Sequence, residues 1–336
     1  MPEIWGSAAG TGGGIGSLLL AGLASFALSV SAQALIITPT FDSSITGNAN
    51  AAQIEGAINS AISTIDGLYT NVVTVPVDFT YNPAPAGNLL STNQFYFDES
   101  YSGYVNLLKA DAGANPLNTV LATAIANLSK GNNSNGAKDM AIAGNQLTML
   151  GVPAAAMSVI NINSNQTFSF SRPVPSNQFD LIGGLEHELD EVLGGGGAGS
   201  VLNHLGNAFF ANKVGSTDLY RYSATNTPSF TTSPAATSYL SVDGGLTDIV
   251  NFNQNSNGDF GDFSPPGAGA GQLIQNAFNS TGQDEAYTTA SPEYEMLLAI
   301  GWDPFAAVVT TPEPGTLALL GSSLLGFAAF RRHRQR

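Results

Sequence analysis

The chain alternates between segments with helical spacing of apolar residues and short runs rich in β-branched or aromatic residues. Across 50–68, NAAQIEGAINSAISTIDGL, the residues Ile54, Ile58, Ile62 and Ile65 fall on one stripe, which predicts an amphipathic helix. Asn71–Tyr81, NVVTVPVDFTY, predicts a strand. Stretches 99–110 and 115–128 predict further helices, with Pro116 early in the second, where its missing N–H is tolerated. NLSKGNNSNG (127–136) predicts a polar loop and 137–150 a short helix. Met157–Ile162 and Thr167–Ser171 predict two short strands, paired as a hairpin about Asn163–Asn165.

The clearest amphipathic pattern is Phe179–Gly194, FDLIGGLEHELDEVLG. Leu181, Leu185, Leu189 and Val192 form its stripe, and Gly194–Gly197 is a strong stop. Beyond it the pattern changes. Residues 214–265 are rich in Asn, Asp, Ser, Thr and Gly, with short aromatic runs (DLYRYS, YLSVDGG, IVNFNQ) that predict brief strands. A last helix is predicted over Pro292–Gly301. The pattern implies an α+β fold in two subdomains, 35–200 and 201–307, meeting at a cleft beside the helix at 179–194.

Both ends stand apart. Residues 15–31 form an apolar run followed by Ala32-Gln33-Ala34, the layout of a secretory signal peptide spanning 1–34 and cleaved after Ala34. The segment before the run carries Glu3 and no Lys or Arg, an atypical start. The last residues, 308–336, hold Thr311-Pro312-Glu313-Pro314, an apolar stretch over 315–330 and RRHRQR at 331–336. The apolar stretch suits a transmembrane helix with its basic end in the cytoplasm. This tail resembles the PEP-CTERM sorting signal. The resemblance implies a Gram-negative bacterium, recognition by an exosortase-type enzyme, and release to the cell surface or matrix after transient anchoring in the inner membrane. Signal peptidase would act at the other end. A plain membrane anchor is the alternative reading of the tail.

Charge sharpens the picture of the body. The whole chain has 25 acidic and 10 basic residues, a net charge of −15. Glu3, Glu313 and four Arg belong to the ends, so the body between them carries −17. Phosphate neutralisation needs clustered Lys and Arg, so nucleic acid is excluded as a partner. The chain has no Cys, which excludes disulfides, thiolate metal sites and thiol nucleophiles. Its three histidines are His187, His204 and His333, and the last lies in the tail.

One constellation carries chemistry. His187 and Glu191 lie one helical turn apart, roughly opposite the Leu185/Leu189/Val192 stripe. Imidazole nitrogen and carboxylate oxygen at this spacing suit zinc or a similar ion. Glu188, next to the first ligand but off the ligand line, suits a general base. HELDEVLG resembles the HExxHxxG helix of zinc peptidases, with Glu191 in place of the second His. Gly194 matches the glycine at which metzincin peptidases turn. The resemblance implies a metzincin-like zinc-peptidase domain with a central active-site helix, His187 and Glu191 as ligands, and Glu188 as catalytic base.

The metzincin pattern places a third ligand where this chain has Gly197, so the ligand must come from elsewhere. His204 is the other imidazole of the body, and Asp218 is the carboxylate alternative. Tyr220, Arg221 and Tyr222 could support that ligand or polarise a carbonyl. Met296 lies in an apolar helix and reads as core. Asn253–Asp262, NQNSNGDFGD, has oxygen side chains at alternate positions but Ser264 where a calcium loop needs its bidentate Glu. It reads as a turn-rich loop, with a weak Ca2+ site as the minor alternative. The glycine run is not a phosphate loop, and no G-x-S-x-G occurs in the body. Two functions follow: an exported zinc-dependent metallopeptidase acting on peptide or protein substrates, or a non-catalytic surface or matrix protein with a degenerate metallopeptidase fold.

Overall fold

The isoleucine stripe predicted at 50–68 is wholly buried, and the main sheet is assembled on it. A computed structural model describes residues 35–128, 133–154, 157–264 and 273–305. Its first elements are β1 (Ile36–Phe41), a one-turn helix α1 (Ser43–Thr46), α2 (Ala51–Asp66) and β2 (Thr74–Asn82). Strands β1 and β2 are parallel, Ile36 opposite Thr74 through Phe41 opposite Phe79, with α2 as their crossover. Then follow β3 (Leu90–Asn93), β4 (Tyr96–Ser100), α3 (Tyr101–Ala114), α4 (Thr119–Asn127), β5 (Asp139–Ala143), α5 (Gly144–Met149) and β6 (Ser158–Asn163). The main sheet runs β1-β2-β6-β3, with β6 parallel to β2 and β3 antiparallel to β6. Strand β3 is therefore an edge.

The chain continues through β7 (Phe168–Ser169), β8 (Phe179–Asp180), α6 (Leu181–Val192), β9 (Lys213–Val214), β10 (Arg221–Ala224), β11 (Thr227–Pro228), β12 (Tyr239–Leu240), β13 (Val250–Asn251) and α7 (Pro292–Ala299). Strands β10 to β13 form a small antiparallel sheet in the order β11-β10-β12-β13. Strands β4, β5 and β9 form a three-stranded one. The fold is mixed α+β. One buried apolar cluster runs from Leu35 to Trp302 and includes Met296, which is core.

Three local expectations are corrected. Residues 137–150 are a strand followed by a short helix: the small apolar run Met140–Ala143 pairs antiparallel with Tyr96–Phe97–Asp98–Glu99. No hairpin turns about Asn163–Asn165. Strand β6 instead pairs with β2 and β3, and β7 pairs with β8, because the apolar Ile160 and Ile162 are fully buried in the centre of the main sheet. The helix expected over 115–128 starts only at Thr119, where the Asn118 side chain accepts the Leu121 N–H and caps it. The expected signal peptide and the tail from Val308 lie outside the described residues. Among the described residues no helix is long and apolar enough to cross a membrane.

Candidate metal centre

Helix α6 carries the candidate site, and every part of it is fixed from outside. At its start Asp180 accepts the Ile182 N–H, a regular N-cap. Arg172 bridges Asp180 and Glu186, at 2.7 and 3.0 Å. Leu181, Leu185, Leu189 and Val192 are buried, and α6 packs against α2. The end of a helix leaves carbonyls without partners. Here Gln94 Nε2 donates to Glu191 O, Asn145 Nδ2 to Val192 O and Trp302 Nε1 to Leu193 O. Gly194 then adopts φ +95°, a left-handed conformation that ends the helix.

The acidic face of α6 is not a solvated one. Glu186, Glu188, Asp190 and Glu191 are all buried. Asp190 is used inside the core, accepting from Tyr287 Oη at 2.5 Å, and Tyr287 Oη is 2.9 Å from Tyr69 Oη. His187 and Glu191 instead face a cleft of about 570 Å3, lined by Leu89, Leu90 and Thr92 on one side and Asp259, Asp262 and Phe278 on the other.

Three side chains converge at its floor. His187 Nε2 lies 3.7 Å from Asp262 Oδ2 and 4.0 Å from Glu191 Oε1. One ligand atom from each of the three lies within 4.8 Å of the others. A tetrahedral ion with bonds of about 2.0–2.1 Å holds its ligand atoms roughly 3.4 Å apart, so small movements would bring these atoms onto one ion. His187 Nδ1 donates to the Ile274 carbonyl at 2.9 Å. That bond fixes the tautomer and leaves the Nε2 lone pair facing the carboxylates, as in metal-bound histidines. Glu191 Oε1 is buried without a hydrogen-bond partner. A buried orphan of this kind is costly unless something cationic meets it. The donor set of one imidazole and two carboxylates fits zinc or a similar divalent ion.

The electrostatics agree. Burial, then repulsion from Glu188, Asp262 and Asp259, holds the Glu191 carboxyl far above the usual carboxylate range. Burial also raises Glu188, partly opposed by His187 and by Thr92 Oγ1, which donates to Glu188 Oε2 at 2.7 Å. Asp262 is raised to about 6 by burial, against the pull of His187. Burial alone would lower His187, but Asp262, Glu188, the Ile274 carbonyl and Asp190 outweigh it and hold the imidazole above its ordinary value. Burial and mutual repulsion thus oppose ionisation of these carboxyls, and a cation among them would favour it.

Asp262, and neither His204 nor Asp218, stands beside His187 and Glu191. The Gly194–Ser200 segment does not carry His204 back to the helix. Asp218 accepts from Ser200 Oγ, Val201 N and Gly215 N at 2.6–2.9 Å, which consumes its oxygens and pins the start of the next turn. His204 then stacks on Phe210, ring centroids 4.1 Å apart, beside Tyr96. Asp262 comes from the NQNSNGDFGD loop. There Asn253 donates to the Asn255 and Asp259 carbonyls, and Asn253 and Asn255 accept backbone N–H groups, so these side chains build turns. Arg221 Nη1 donates to Phe260 O at 2.6 Å and holds the loop, with its guanidinium over the Phe252 ring. Tyr220 donates to Ala299 O, and Tyr222 accepts from Asn133. Both hydroxyls are used in the core, away from the His187–Glu191–Asp262 cluster that they were expected to support.

Asp262, Asp259, Ile274, Gln275 and Thr92 were missed as site residues. The signal for Asp262 was present, since its loop stood out for its oxygen side chains. Its destination required the fold.

Residues 310–332 match the PEP-CTERM protein-sorting motif. No curated protein and no solved structure matches the chain. The sorting motif marks the chain for export to the cell surface or extracellular space and for recognition by an exosortase-type enzyme.

Proposed function

We propose that the body of this exported chain is a zinc-dependent peptidase of metzincin-like fold. The observation that carries this reading is the His187–Glu191–Asp262 cluster on a cleft floor, with the His187 tautomer set by Ile274. When bound there, zinc would act as a Lewis acid and make a water nucleophilic near neutral pH. Glu188, beside the proposed ligands and held by Thr92, would serve as the general base and then as the general acid toward the leaving amine.

The cleft walls support a peptide substrate. Strand β3 is an open sheet edge, and its residues Leu90, Ser91 and Thr92 line the cleft. An extended peptide can add to such an edge through main-chain hydrogen bonds. The lining residues include Glu188, Glu191, Asp259 and Asp262 and no Lys or Arg, which favours neutral or basic peptide segments.

The test is metal analysis and peptide hydrolysis on the purified protein. His187→Ala should abolish stoichiometric zinc. Glu188→Gln should keep zinc and lower hydrolysis by about 100- to 10,000-fold. Equal zinc in wild type and His187→Ala would end the metal reading. Zinc without hydrolysis of any peptide would favour the non-catalytic surface protein.

A further inference from the structure

The neutral side chain of Gln275 reaches both His187 and Asp262. It is fully buried. Its Nε2 lies 3.1 Å from His187 Nε2 and 2.9 Å from Asp262 Oδ1, both acceptors. Its carbonyl oxygen, Oε1, is buried without a hydrogen-bond partner. The backbone on either side is tied to the site. Ile274 O accepts from His187 Nδ1, the Gln275 N–H donates to Glu293 Oε1 at 3.3 Å, and Gln275 O accepts the Phe263 N–H at 2.7 Å.

This arrangement puts an amide against two of the three residues that would hold the ion. Catalytic metal centres use three protein ligands and leave the fourth place to water or substrate. Here the three proposed ligands are His187, Glu191 and Asp262, and the carboxamide sits against the first and the last. Its N–H group satisfies the histidine lone pair. A cation at the cluster would repel that N–H. Turning the carboxamide end for end exchanges it for Oε1, an acceptor of the same reach. The turn would give Oε1 a cationic partner and take the Nε2 donor away from Asp262 Oδ1, which would then face the ion as well.

We infer that Gln275 is an internal stopper of this centre: its carboxamide fills the fourth position and must leave before water or substrate can bind. The inference rests on the metal reading above and adds latency to it. A neutral amide is a weaker ligand than a carboxylate, so the stopper is displaceable.

The test uses the cobalt-substituted protein with acetohydroxamate as the probe. Hydroxamate needs free coordination positions, and the visible spectrum of cobalt reports its binding without reference to catalysis. Gln275→Ala and the shorter amide Gln275→Asn should retain cobalt and bind acetohydroxamate at least about tenfold more tightly than wild type. Gln275→Glu should hold cobalt more firmly and bind the probe more weakly. The two shortened variants guard against a cavity effect in either one, and far-ultraviolet circular dichroism checks that each is folded. Equal probe affinity in wild type, Gln275→Ala and Gln275→Asn overturns the stopper. Loss of cobalt from a folded Gln275→Ala overturns it too, since Gln275 would then be an essential ligand. Cobalt that is absent from wild type, or that survives His187→Ala, defeats the metal reading itself and the stopper with it.

Discussion

Gly197 donates its backbone N–H to Asp262 Oδ1 at 2.8 Å, so the position where the resembled peptidases carry a ligand side chain here presents an amide to the carboxylate proposed in its place. The glycine leaves room for two carboxylates. A Cβ on Gly197 would lie 2.5 Å from Asp259 Oδ2 and 2.7 Å from Glu191 Oε1. Gly197→Ala should therefore push Glu191 and Asp259 apart and lower zinc affinity by about 10- to 100-fold, the range for disturbed support of a metal site. Isothermal titration of the metal-free variant measures this. Affinity within twofold of wild type would show that the cluster has room to spare.

The exchange of Asp262 for His204 is separately testable. Asp262→Ala removes one of the three proposed ligands and should cost more zinc affinity than the about 10- to 100-fold of a lost supporting contact. His204→Ala removes a ring stacked on Phe210 and should leave zinc stoichiometry unchanged. Asp218→Asn should lower stability instead, because its two oxygens hold Ser200, Val201 and Gly215 together. Parallel zinc content and thermal melts separate the three. Zinc lost from His204→Ala and kept in Asp262→Ala would reverse the assignment.

Local pattern carried much of this protein, and long-range closure carried the rest. The isoleucines of α2 and the leucines of α6 announce their helices because each buries one stripe, and that periodicity is local. The same holds for His187, Glu188 and Glu191, whose relation is fixed by one helix. Asp262 is 75 positions beyond His187, and nothing near it in sequence records where its loop docks. That docking depends on Arg221 holding Phe260 and on Asn203 bridging Gly197 O and Phe260 N. Strands β3 and β4 escaped notice for a related reason. They are short and half-buried, with polar residues, and their partners β6 and β5 lie far along the chain. Reading 137–150 as one helix failed because Ala and Met favour helices in isolation, while pairing to β4 decides the outcome here.

The end of α6 offers a stability test that leaves the proposed ligand side chains intact. Trp302 is fully buried, and its indole N–H satisfies the Leu193 carbonyl at 2.9 Å. Trp302→Phe keeps an aromatic ring but leaves that carbonyl without its donor and opens space in the core. The loss should be about 2–4 kcal/mol, from the unmet carbonyl and the cavity together. Chemical denaturation of the metal-free protein reads it directly. Gln94→Ala removes a donor to Glu191 O from a half-buried site, where water can substitute, and should cost about 1 kcal/mol or less. Equal losses in the two variants would show that burial of the cap does not matter.

A pH test away from the cluster rests on Asp303. Its Oδ2 accepts from Asn71 Nδ2 at 3.2 Å, while Oδ1 is buried without a partner. Burial, and then the nearby Asp111, raise its pKa to about 7. A carboxyl raised in the folded state favours folding when protonated. That contribution is fully present below the unfolded value of 3.8 and is lost as pH rises through about 7. Asp303→Asn removes the ionisation and keeps a side-chain acceptor for Asn71. Its stability advantage over wild type should be near zero at about pH 4, grow with pH, and level off above about pH 7. Solvent near the site screens part of the effect, which leaves about 1–2 kcal/mol at the plateau. Comparing the two proteins cancels the titration of the metal-site carboxylates, which both retain. Denaturation of the chelator-treated pair across this range is the measurement. Parallel curves would mean that Asp303 titrates alike in the folded and unfolded chain, and that its buried oxygen is solvated after all.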